Sequence, residues 1–336
     1  MKNYELCIDM GSCFTTIYKK NSGIVLREPS VVLIETIGKQ MKVLDVGLNA
    51  QKHNGKLVDG QVLVRPIIEG VIKNAELTKK MINYFLGKIV KYSLIKPNIK
   101  LIVCLPISLN QKQYEDYKEL FYSIGFAKIE FIYNSVCASL ADNPYQCLNK
   151  ANLFINIGGD KTEICAIVNN KIIDACSVNI GGSFVDNKII ESLHKTNNLS
   201  ISQGIACKIK HEIASLYETD KSSMQIVAKD LATNSSITTL VSAQQLLSSI
   251  YDCYFKILQT IQAFINSQSV EMTQDIKNDG IFFYGGGSLI TGLEKFAKKI
   301  LGASVFVLDN PETLACVGSE KLFSDITLLQ NVVEEN

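Results

Sequence analysis

A chain of 336 residues that is 47% apolar is long enough to bury two hydrophobic cores, so length and composition favour two domains. The formal net charge of +1, with 20% charged residues, argues against a nucleic-acid partner, because such proteins usually carry a basic surplus. The ten cysteines occur singly, without zinc-site spacing, which predicts reduced thiols and a cytoplasmic protein. No apolar run reaches the roughly 18 residues of a membrane span, and with strand-like residues from Tyr4 onward we expect no signal peptide.

Two strand–turn–strand patterns, at 6–17 and 152–168, share a glycine turn and a short polar residue two positions before the first glycine. The residues concerned are Asp9 and Gly11 in the first pattern, and Asn156, Gly158 and Gly159 in the second. A third glycine turn, 284–288, follows the strand-like segment 280–283. The repetition predicts two similar halves that face each other across a cleft.

Apolar periodicity predicts the other elements in chain order. In the first half they are strand 24–34, a small mixed segment 35–64, helix 76–90, strand 99–105, helix 110–124 with Gln113 placed for a capping box, strand 129–132 and helix 135–141. In the second half they are strand 172–180, helices 184–194 and 201–217, a polar β-type segment 224–240, helices 243–267 and 293–301, strand 304–308, helix 312–322 and a solvated acidic tail at 332–336.

Four ordered segments carry a resemblance to a known family: 8–12, 28–32, 65–72 and 280–293. Over roughly Tyr4 to Ile326 the chain resembles the actin/Hsp70 superfamily, and within it the bacterial actin MreB family. The resemblance implies an α/β fold, actin/Hsp70-like (ribonuclease H-like), with a nucleotide cleft between duplicated halves. It also implies binding of ATP/ADP with Mg²⁺ and self-assembly into filaments that organise cell shape at the inner face of the plasma membrane.

The resemblance further implies four subdomains. They are a first core (IA) at 1–32, 66–145 and 318–336, a small subdomain (IB) at 33–65, a second core (IIA) at 146–181 and 243–317, and a small subdomain (IIB) at 182–242.

Glycine turns suit phosphates because consecutive backbone N–H groups form a concave nest and glycine lets the backbone come close. The residues predicted to meet the nucleotide are Gly11, Ser12 and Cys13 in one half, and Gly158, Gly159, Lys161, Thr162, Gly285, Gly286, Gly287 and Ser288 in the other. The alternative is that these are ordinary hairpin turns, with glycine present for its positive φ.

By resemblance, the ribose and adenine side of the site falls on Gly182, Cys207 and Lys210, with Cys207 standing where the family has a glutamate. Lys210 has an equally weighted alternative as a solvated helix lysine. Asp186 matches a helix start in the superfamily and has the alternative of a local cap or ion pair.

The sequence departs from the family pattern where hydrolysis takes place. Asn156 replaces the acidic residue that holds a magnesium-bound water, which leaves Asp9 as the metal carboxylate. Tyr133 and Asn134 replace the glutamates that position the attacking water, and Lys161 arrives beside the expected γ-phosphate. These changes predict ATP binding with slow or absent hydrolysis, so whether the chain is an enzyme stays open.

Two surfaces are implied by resemblance. The loop 88–97 places Leu94 and Ile95 where the family has two apolar residues that enter the bilayer, with packing onto the domain core as the alternative. Helix 110–124 matches a protofilament-pairing face, although its aromatic residues are more often core.

Three alternative functions differ in the residues and segments that they require. A nucleotide-locked regulatory or structural partner of a more active paralogue is consistent with the lost carboxylates. A small-molecule kinase of the same superfamily would need a substrate base and longer insertions, and an Hsp70-like ATPase would need a peptide-binding domain. Neither feature is apparent in the sequence.

Overall fold

The computed structural model describes residues 3–38, 40–90, 97–126, 128–141 and 143–335. The chain divides into two compact units. The first comprises Met1–Asn149, Cys165–Cys176 and Glu312–Asn336, and the second Lys150–Ile164 and Ser177–Pro311. The boundaries proposed for the small subdomains, 33–65 and 182–242, stay predictions because this division resolves only two units.

The elements follow one another in chain order. Up to residue 139 they are β1 (Asn3–Met10), β2 (Phe14–Lys19), β3 (Gly23–Pro29), β4 (Val32–Ile37), β5 (Gln40–Val46), α1 (Leu48–Gln51), β6 (Gln61–Val64), β7 (Ile67–Ile68), β8 (Val71–Ile72), α2 (Ala75–Ile89), β9 (Asn98–Leu105), α3 (Gln111–Ile124), β10 (Lys128–Tyr133) and α4 (Asn134–Ser139). From residue 152 they are β11 (Asn152–Ile157), β12 (Thr162–Val168), β13 (Lys171–Val178), α5 (Gly182–Asn197), β14 (Leu199–Ser200), α6 (Gln203–Ile213), β15 (Ser223–Asp230), β16 (Ser236–Ser242), α7 (Ala243–Ser267), α8 (Val270–Asp279), β17 (Ile281–Tyr284), a 3₁₀ turn (Gly286–Leu289), α9 (Leu293–Leu301), β18 (Val305–Val307), α10 (Leu314–Gly318), α11 (Glu320–Ser324) and α12 (Ile326–Glu335).

Two five-stranded sheets have the same strand order. One is arranged β10-β9-β1-β2-β3 and the other β18-β17-β11-β12-β13. In the first, β1 pairs antiparallel with β2 and parallel with β9. In the second, β11 pairs parallel with β17, which pairs parallel with β18. The predicted duplication of a mixed α/β half is therefore present in the strand topology.

The core of the first unit lies where α2 and α3 cover the sheet. Phe85 of α2 and Tyr117 and Phe121 of α3 are among its largest fully buried side chains. The Tyr117 hydroxyl donates to the carbonyl of Gly70 at 2.9 Å. The core interpretation of helix 110–124 is confirmed for Tyr117 and Phe121, whereas Tyr114 is partly buried and Tyr122 is 58% exposed. Protofilament pairing through this helix stays a prediction.

Side-chain hydrogen bonds cap the N-termini of helices α3 and α7. The predicted capping box of α3 is present, with the Asn110 side chain accepting from the Gln113 backbone and the Gln113 side chain accepting from the Asn110 backbone. Helix α7 has the predicted limits and a second capping box, Ser242 with Gln245, that the sequence analysis missed. No helix within the described ranges has both the length and the apolar character needed to cross a membrane.

The prediction of a solvated acidic tail at 332–336 is wrong at its first residue, Val332. The chain continues as α12, and Val332 packs into a cluster with Cys316 and Leu322 at 3% exposure. The glutamates at 334 and 335 suggested solvent, but an apolar residue on one helix face is enough to dock the segment.

Val332→Asp is expected to lower the free energy of unfolding by about 2–4 kcal/mol, because it places a carboxylate in an apolar cluster. Val333→Asp is the matched control: Val333 is 40% exposed, and its replacement should change stability by less than about 0.5 kcal/mol. Urea unfolding followed by circular dichroism measures both. Equal midpoints for the two variants would contradict the docking of α12.

Candidate functional site

The two predicted hairpin turns close with the same hydrogen bond. The backbone N–H of Gly11 donates to the carbonyl of Phe14 at 3.0 Å, and that of Gly158 to the carbonyl of Lys161 at 2.9 Å. A Cβ would lie 2.9 Å from the Phe14 oxygen at Gly11 and 3.1 Å from the Lys161 oxygen at Gly158. Neither glycine has a positive φ. The close backbone approach, rather than the φ of an ordinary hairpin turn, therefore favours glycine at both positions, more strongly at Gly11 than at Gly158.

Neighbouring segments of the first unit hold the turn at Gly11 in place. Ser30 donates from its hydroxyl to the Gly11 carbonyl at 2.7 Å, and its backbone N–H donates to the Cys13 carbonyl at 2.9 Å. The Ser12 hydroxyl oxygen accepts from the backbone N–H of Gly70 at 3.1 Å. Arg65 reaches the Cys13 sulfur at 3.7 Å. Three of the four segments that carried the resemblance, 8–12, 28–32 and 65–72, thus form one hydrogen-bonded assembly.

Asp9 lies one residue before the end of β1 and is half-buried. Its register partners are Thr16 on β2 and Cys104 on β9. The carboxylate is therefore held on a paired strand, directly before the turn that begins at Gly11.

In the second unit, three glycine segments converge. The turn after β11 accepts the first N–H groups of α5, with Gly182 donating to Gly158 at 3.0 Å and Ser183 to Gly159 at 2.7 Å. On the other side, a Cβ at Gly285 would lie 2.6 Å from the Ile157 carbonyl oxygen. We call the segments 158–161, 181–183 and 285–288 the glycine cradle.

Side chains brace the glycine cradle. The hydroxyls of Thr162 and Ser288 are buried and donate to the carbonyls of Ile180 and Tyr284, each at 2.6 Å. Ser183 donates to the Asp160 carboxylate at 2.7 Å, which ties the turn to the start of α5. The role of Asp160 could not be predicted, because nothing in the sequence places Ser183 beside it.

Lys210 and Cys207, the two residues of α6 predicted to meet the nucleotide, lie in different surroundings. Lys210 is not a solvated lysine: its Nζ lies 2.8 Å from the Asp186 carboxylate and donates to the Gly182 carbonyl at 3.0 Å. Cys207, one turn earlier on α6, is half-buried, with its sulfur 4.0 Å from Nε2 of His211. The local pairing predicted as an alternative for Asp186 is confirmed, and it anchors α6 to the glycine cradle.

The contribution of the Asp186–Lys210 pair to folding stability should depend on pH. Burial raises the pKa of the Asp186 carboxyl above its ordinary value, although Lys210 opposes this shift. Lys210→Met should lower the free energy of unfolding by about 2–4 kcal/mol at neutral pH, because it leaves the buried Asp186 carboxylate without its cationic partner. A folded-state pKa above the unfolded one means that this deficit shrinks as pH falls through the folded-state pKa and the carboxyl takes up a proton.

The control is the double variant Lys210→Met/Asp186→Asn, which has no carboxylate to titrate. Denaturant unfolding at a series of pH values should show the deficit of Lys210→Met shrinking towards acid, while the double variant follows a flatter profile. Parallel profiles for the two variants would contradict the assignment.

Comparison with known proteins identifies the family. A family model described as MreB/Mbl protein matches residues 3–331. The chain belongs to the MreB/Mbl family. It is 27% identical over 331 residues to the cell shape-determining protein MreB of Escherichia coli strain K12, covering 98% of this chain and 95% of that protein.

Solved structures show the fold. The ADP-bound crystal structure of MreB5 of Spiroplasma citri matches with a TM-score of 0.89 at 22% identity, covering 98% of both chains. A double helical filament of MamK matches with a TM-score of 0.79 at 16% identity, covering 96% of this chain and 99% of that one. The predicted actin/Hsp70-like fold is confirmed.

Relative to the MreB pattern, the neutral Asn156 lies beside a carboxylate that the sequence analysis missed. Its Nδ2 donates to Glu163 Oε2 at 3.4 Å, and Glu163 is 5% exposed. On the other side, a Cβ at Gly285 would lie 2.3 Å from Asn156 Oδ1. The amide is therefore packed between the acid and the third turn. Nothing in the sequence signals this contact, because Glu163 stands at the polar start of β12, directly before the apolar run 164–168.

The second departure from the MreB pattern is at the junction of β10 and α4. Asn134 is 6% exposed and begins α4, directly after Tyr133. Burial raises the pKa of the Tyr133 hydroxyl above its ordinary value, so it stays a neutral phenol at neutral pH. Neither Tyr133 nor Asn134 carries a carboxylate that could orient a water. The membrane-loop residues Leu94 and Ile95 lie outside the described residues.

Proposed function

We propose that this chain is an ATP-binding, actin-like protein that polymerises into membrane-associated filaments involved in cell shape, and that its ATP hydrolysis is weakened. The observation that carries the proposal is the glycine cradle, which has no room for a side chain at Gly285 or Gly287. A Cβ would lie 2.6 Å from the Ile157 carbonyl oxygen at the first and 2.3 Å from Ile157 Cγ2 at the second. Backbone held this close, without side chains, suits phosphate recognition through N–H groups.

The residues fit a nucleotide better than they fit a complete magnesium site. Gly286 has no atom within 4 Å of its Cβ position, so its backbone is open to the approach of a ligand. Lys161 adds a positive charge to the turn that begins at Gly158. For Mg²⁺, Asp9 is the one carboxylate of the family pair that the sequence retains, which suits a water-mediated and weakened site. When bound, Mg²⁺ would neutralise phosphate charge.

Weakened hydrolysis follows from the side chains at both departures from the pattern. Asn134 and Asn156 carry neutral amides, and Tyr133 carries a neutral phenol. None of them can accept a proton from water at neutral pH. The chain would therefore hold nucleotide for long periods, with assembly governed by binding more than by turnover.

The same residues favour one second candidate, a regulatory or structural partner that co-assembles with a more active paralogue. Sedimentation and negative-stain microscopy of the purified chain with ATP, with ADP and without nucleotide test the first proposal. We expect pelletable filaments with ATP. Filaments that form only after a more active MreB relative is added would favour the second candidate, and a soluble chain in every mixture would contradict both.

Membrane attachment makes its own prediction. We propose that the chain lies in the cytoplasm at the inner face of the plasma membrane, attached through Leu94 and Ile95. Burying both side chains in lipid would contribute roughly 3–6 kcal/mol, which repetition along a filament multiplies. Leu94→Ser/Ile95→Ser should abolish flotation of assembled protein with anionic liposomes, whereas the exposed pair Val227→Ser/Leu240→Ser should not. Equal flotation of wild type and the first variant would contradict attachment by this loop.

A further inference from the structure

Three cysteines that are far apart in the sequence meet inside the first unit. Cys7 lies on β1, Cys104 on β9 and Cys316 on α10. Their sulfur atoms all lie within 4.8 Å of one another, and those of Cys7 and Cys104 are 3.4 Å apart. We call this group the thiol cluster. Among the residues that the structure describes, no other group of three His, Cys, Asp or Glu side chains has its ligand atoms gathered in this way.

The thiol cluster is closed off from solvent. All three cysteines are at most 1% exposed, and apolar residues such as Val136 and Leu140 surround them. The buried thiol of Cys137 interacts with that of Cys104, but it lies outside the group of three whose sulfurs are all within 4.8 Å of one another. The Cys316 sulfur also lies 3.6 Å from the Thr16 carbonyl oxygen, and Ser319 donates to the Cys316 carbonyl at 2.6 Å. The three thiols are therefore anchored through β2 and α10 as well as through their own strands.

The sulfur separations suit a soft metal ion. A metal–sulfur bond of about 2.3 Å requires sulfurs roughly 3.8–4.0 Å apart, in trigonal or tetrahedral geometry. One pair of sulfurs is 3.4 Å apart and the other two pairs are no more than 4.8 Å apart, so small side-chain movements would bring all three to that spacing. Thiolates select Cu(I), zinc and iron–sulfur centres. Structural zinc almost always takes four ligands, whereas three sulfurs are enough to complete a trigonal Cu(I) site.

We propose that Cys7, Cys104 and Cys316 form a buried three-sulfur binding site for Cu(I). Each thiol that becomes a thiolate ligand releases its proton to solvent as the ion binds. The ion would link β1, β9 and α10, and it would hold the strand that carries Asp9 two residues after Cys7. Because the site is closed, the metal would enter as the unit folds. The proposal goes beyond nucleotide binding and does not depend on it.

The competing explanation is that the thiols are simply small core residues. Cysteine often fills cores in that way, and Cys165, which is equally buried, lies outside the thiol cluster. The two explanations differ in what one substitution does. A packing role tolerates Cys316→Ala with unchanged metal content, whereas a ligand role does not.

The test is anaerobic refolding of the full chain with Cu(I) buffered by a chromogenic chelator, followed by gel filtration, metal analysis and X-ray absorption. We expect one Cu(I) per chain, three sulfur neighbours at about 2.2–2.3 Å, and a higher melting temperature than for the metal-free protein. Losing an outer-shell partner typically lowers metal affinity about 10–100-fold, so losing a direct ligand in Cys316→Ala should exceed about 100-fold.

Cys165→Ala is the matched control and should keep wild-type affinity. If Cys316→Ala destabilises the unit, Cys7→Ser is the second variant, with circular dichroism confirming its fold. Three results would overturn the proposal: no Cu(I) retained by the wild type, equal Cu(I) affinity in wild type and Cys316→Ala, or retention of Zn²⁺ in preference to Cu(I).

Discussion

Replacing Asn134 by glutamate is expected to raise the rate of ATP hydrolysis by roughly 10²-fold or more, because a positioned general base typically contributes 10²–10⁴-fold. Such a gain corresponds to about 3 kcal/mol off the activation barrier. The change restores the carboxylate that the MreB pattern has at this junction. Release of inorganic phosphate from purified protein, measured in single and multiple turnovers, reports the rate.

Asn134→Gln is the matched control, since it has the size of glutamate without its charge, and it should leave turnover at the wild-type level. Asn134 is almost fully buried at the start of α4, so both variants need a check of their melting temperature. Adding Asn156→Asp to Asn134→Glu should raise turnover further, because it restores the second carboxylate of the MreB pattern. Brisk hydrolysis by the unmodified chain would contradict the proposal that Tyr133 and Asn134 weaken catalysis.

Gly285→Ala is expected to lower the free energy of unfolding by about 2–4 kcal/mol and to abolish nucleotide binding. Gly285 has a φ of +82°, and its Cβ would lie 2.6 Å from the Ile157 carbonyl oxygen. An alanine at this position is destabilised by the left-handed backbone conformation, and its methyl group would push the third turn away from β11. Denaturant unfolding measures the first effect, and calorimetry with ADP the second.

Gly286→Ala distinguishes an effect on folding stability from an effect on nucleotide binding. Its φ is not positive and no atom lies within 4 Å of the Cβ position, so stability should stay within about 0.5 kcal/mol of wild type. If the nucleotide lies against this backbone, the added methyl group should still weaken ADP binding measurably. Equal stability of Gly285→Ala and Gly286→Ala would contradict the packing described for the glycine cradle.

The parts of the fold that the sequence predicted are those with local signals. The hairpins around Gly11 and Gly158 could be predicted because apolar alternation and glycine turns lie within a few residues of each other. Helix α7 was predicted with its limits because its apolar face repeats regularly between clear boundaries. The sheets themselves could be inferred only through the repetition of these local patterns.

The missed features depend on residues that are distant in sequence. Cys7 and Cys104 meet because β1 and β9 are parallel neighbours, which cysteine spacing alone could not indicate. Lys210 and Asp186 pair because the two helices that carry them, α6 and α5, pack against each other, and the sequence does not show that packing. Val332 was misjudged for the opposite reason, because the local charge of the following residues outweighed one apolar position on a helix.

The central proposal is that adenine nucleotide binds to backbone amides of the glycine cradle, Gly286 among them. Isothermal titration calorimetry of the purified full chain with ATP and with ADP, in the presence of Mg²⁺, tests it most directly. We expect saturable heat with one site per chain for both nucleotides, and little phosphate release during the ATP titration. The absence of heat with either nucleotide, for a chain that is folded by circular dichroism, would contradict it.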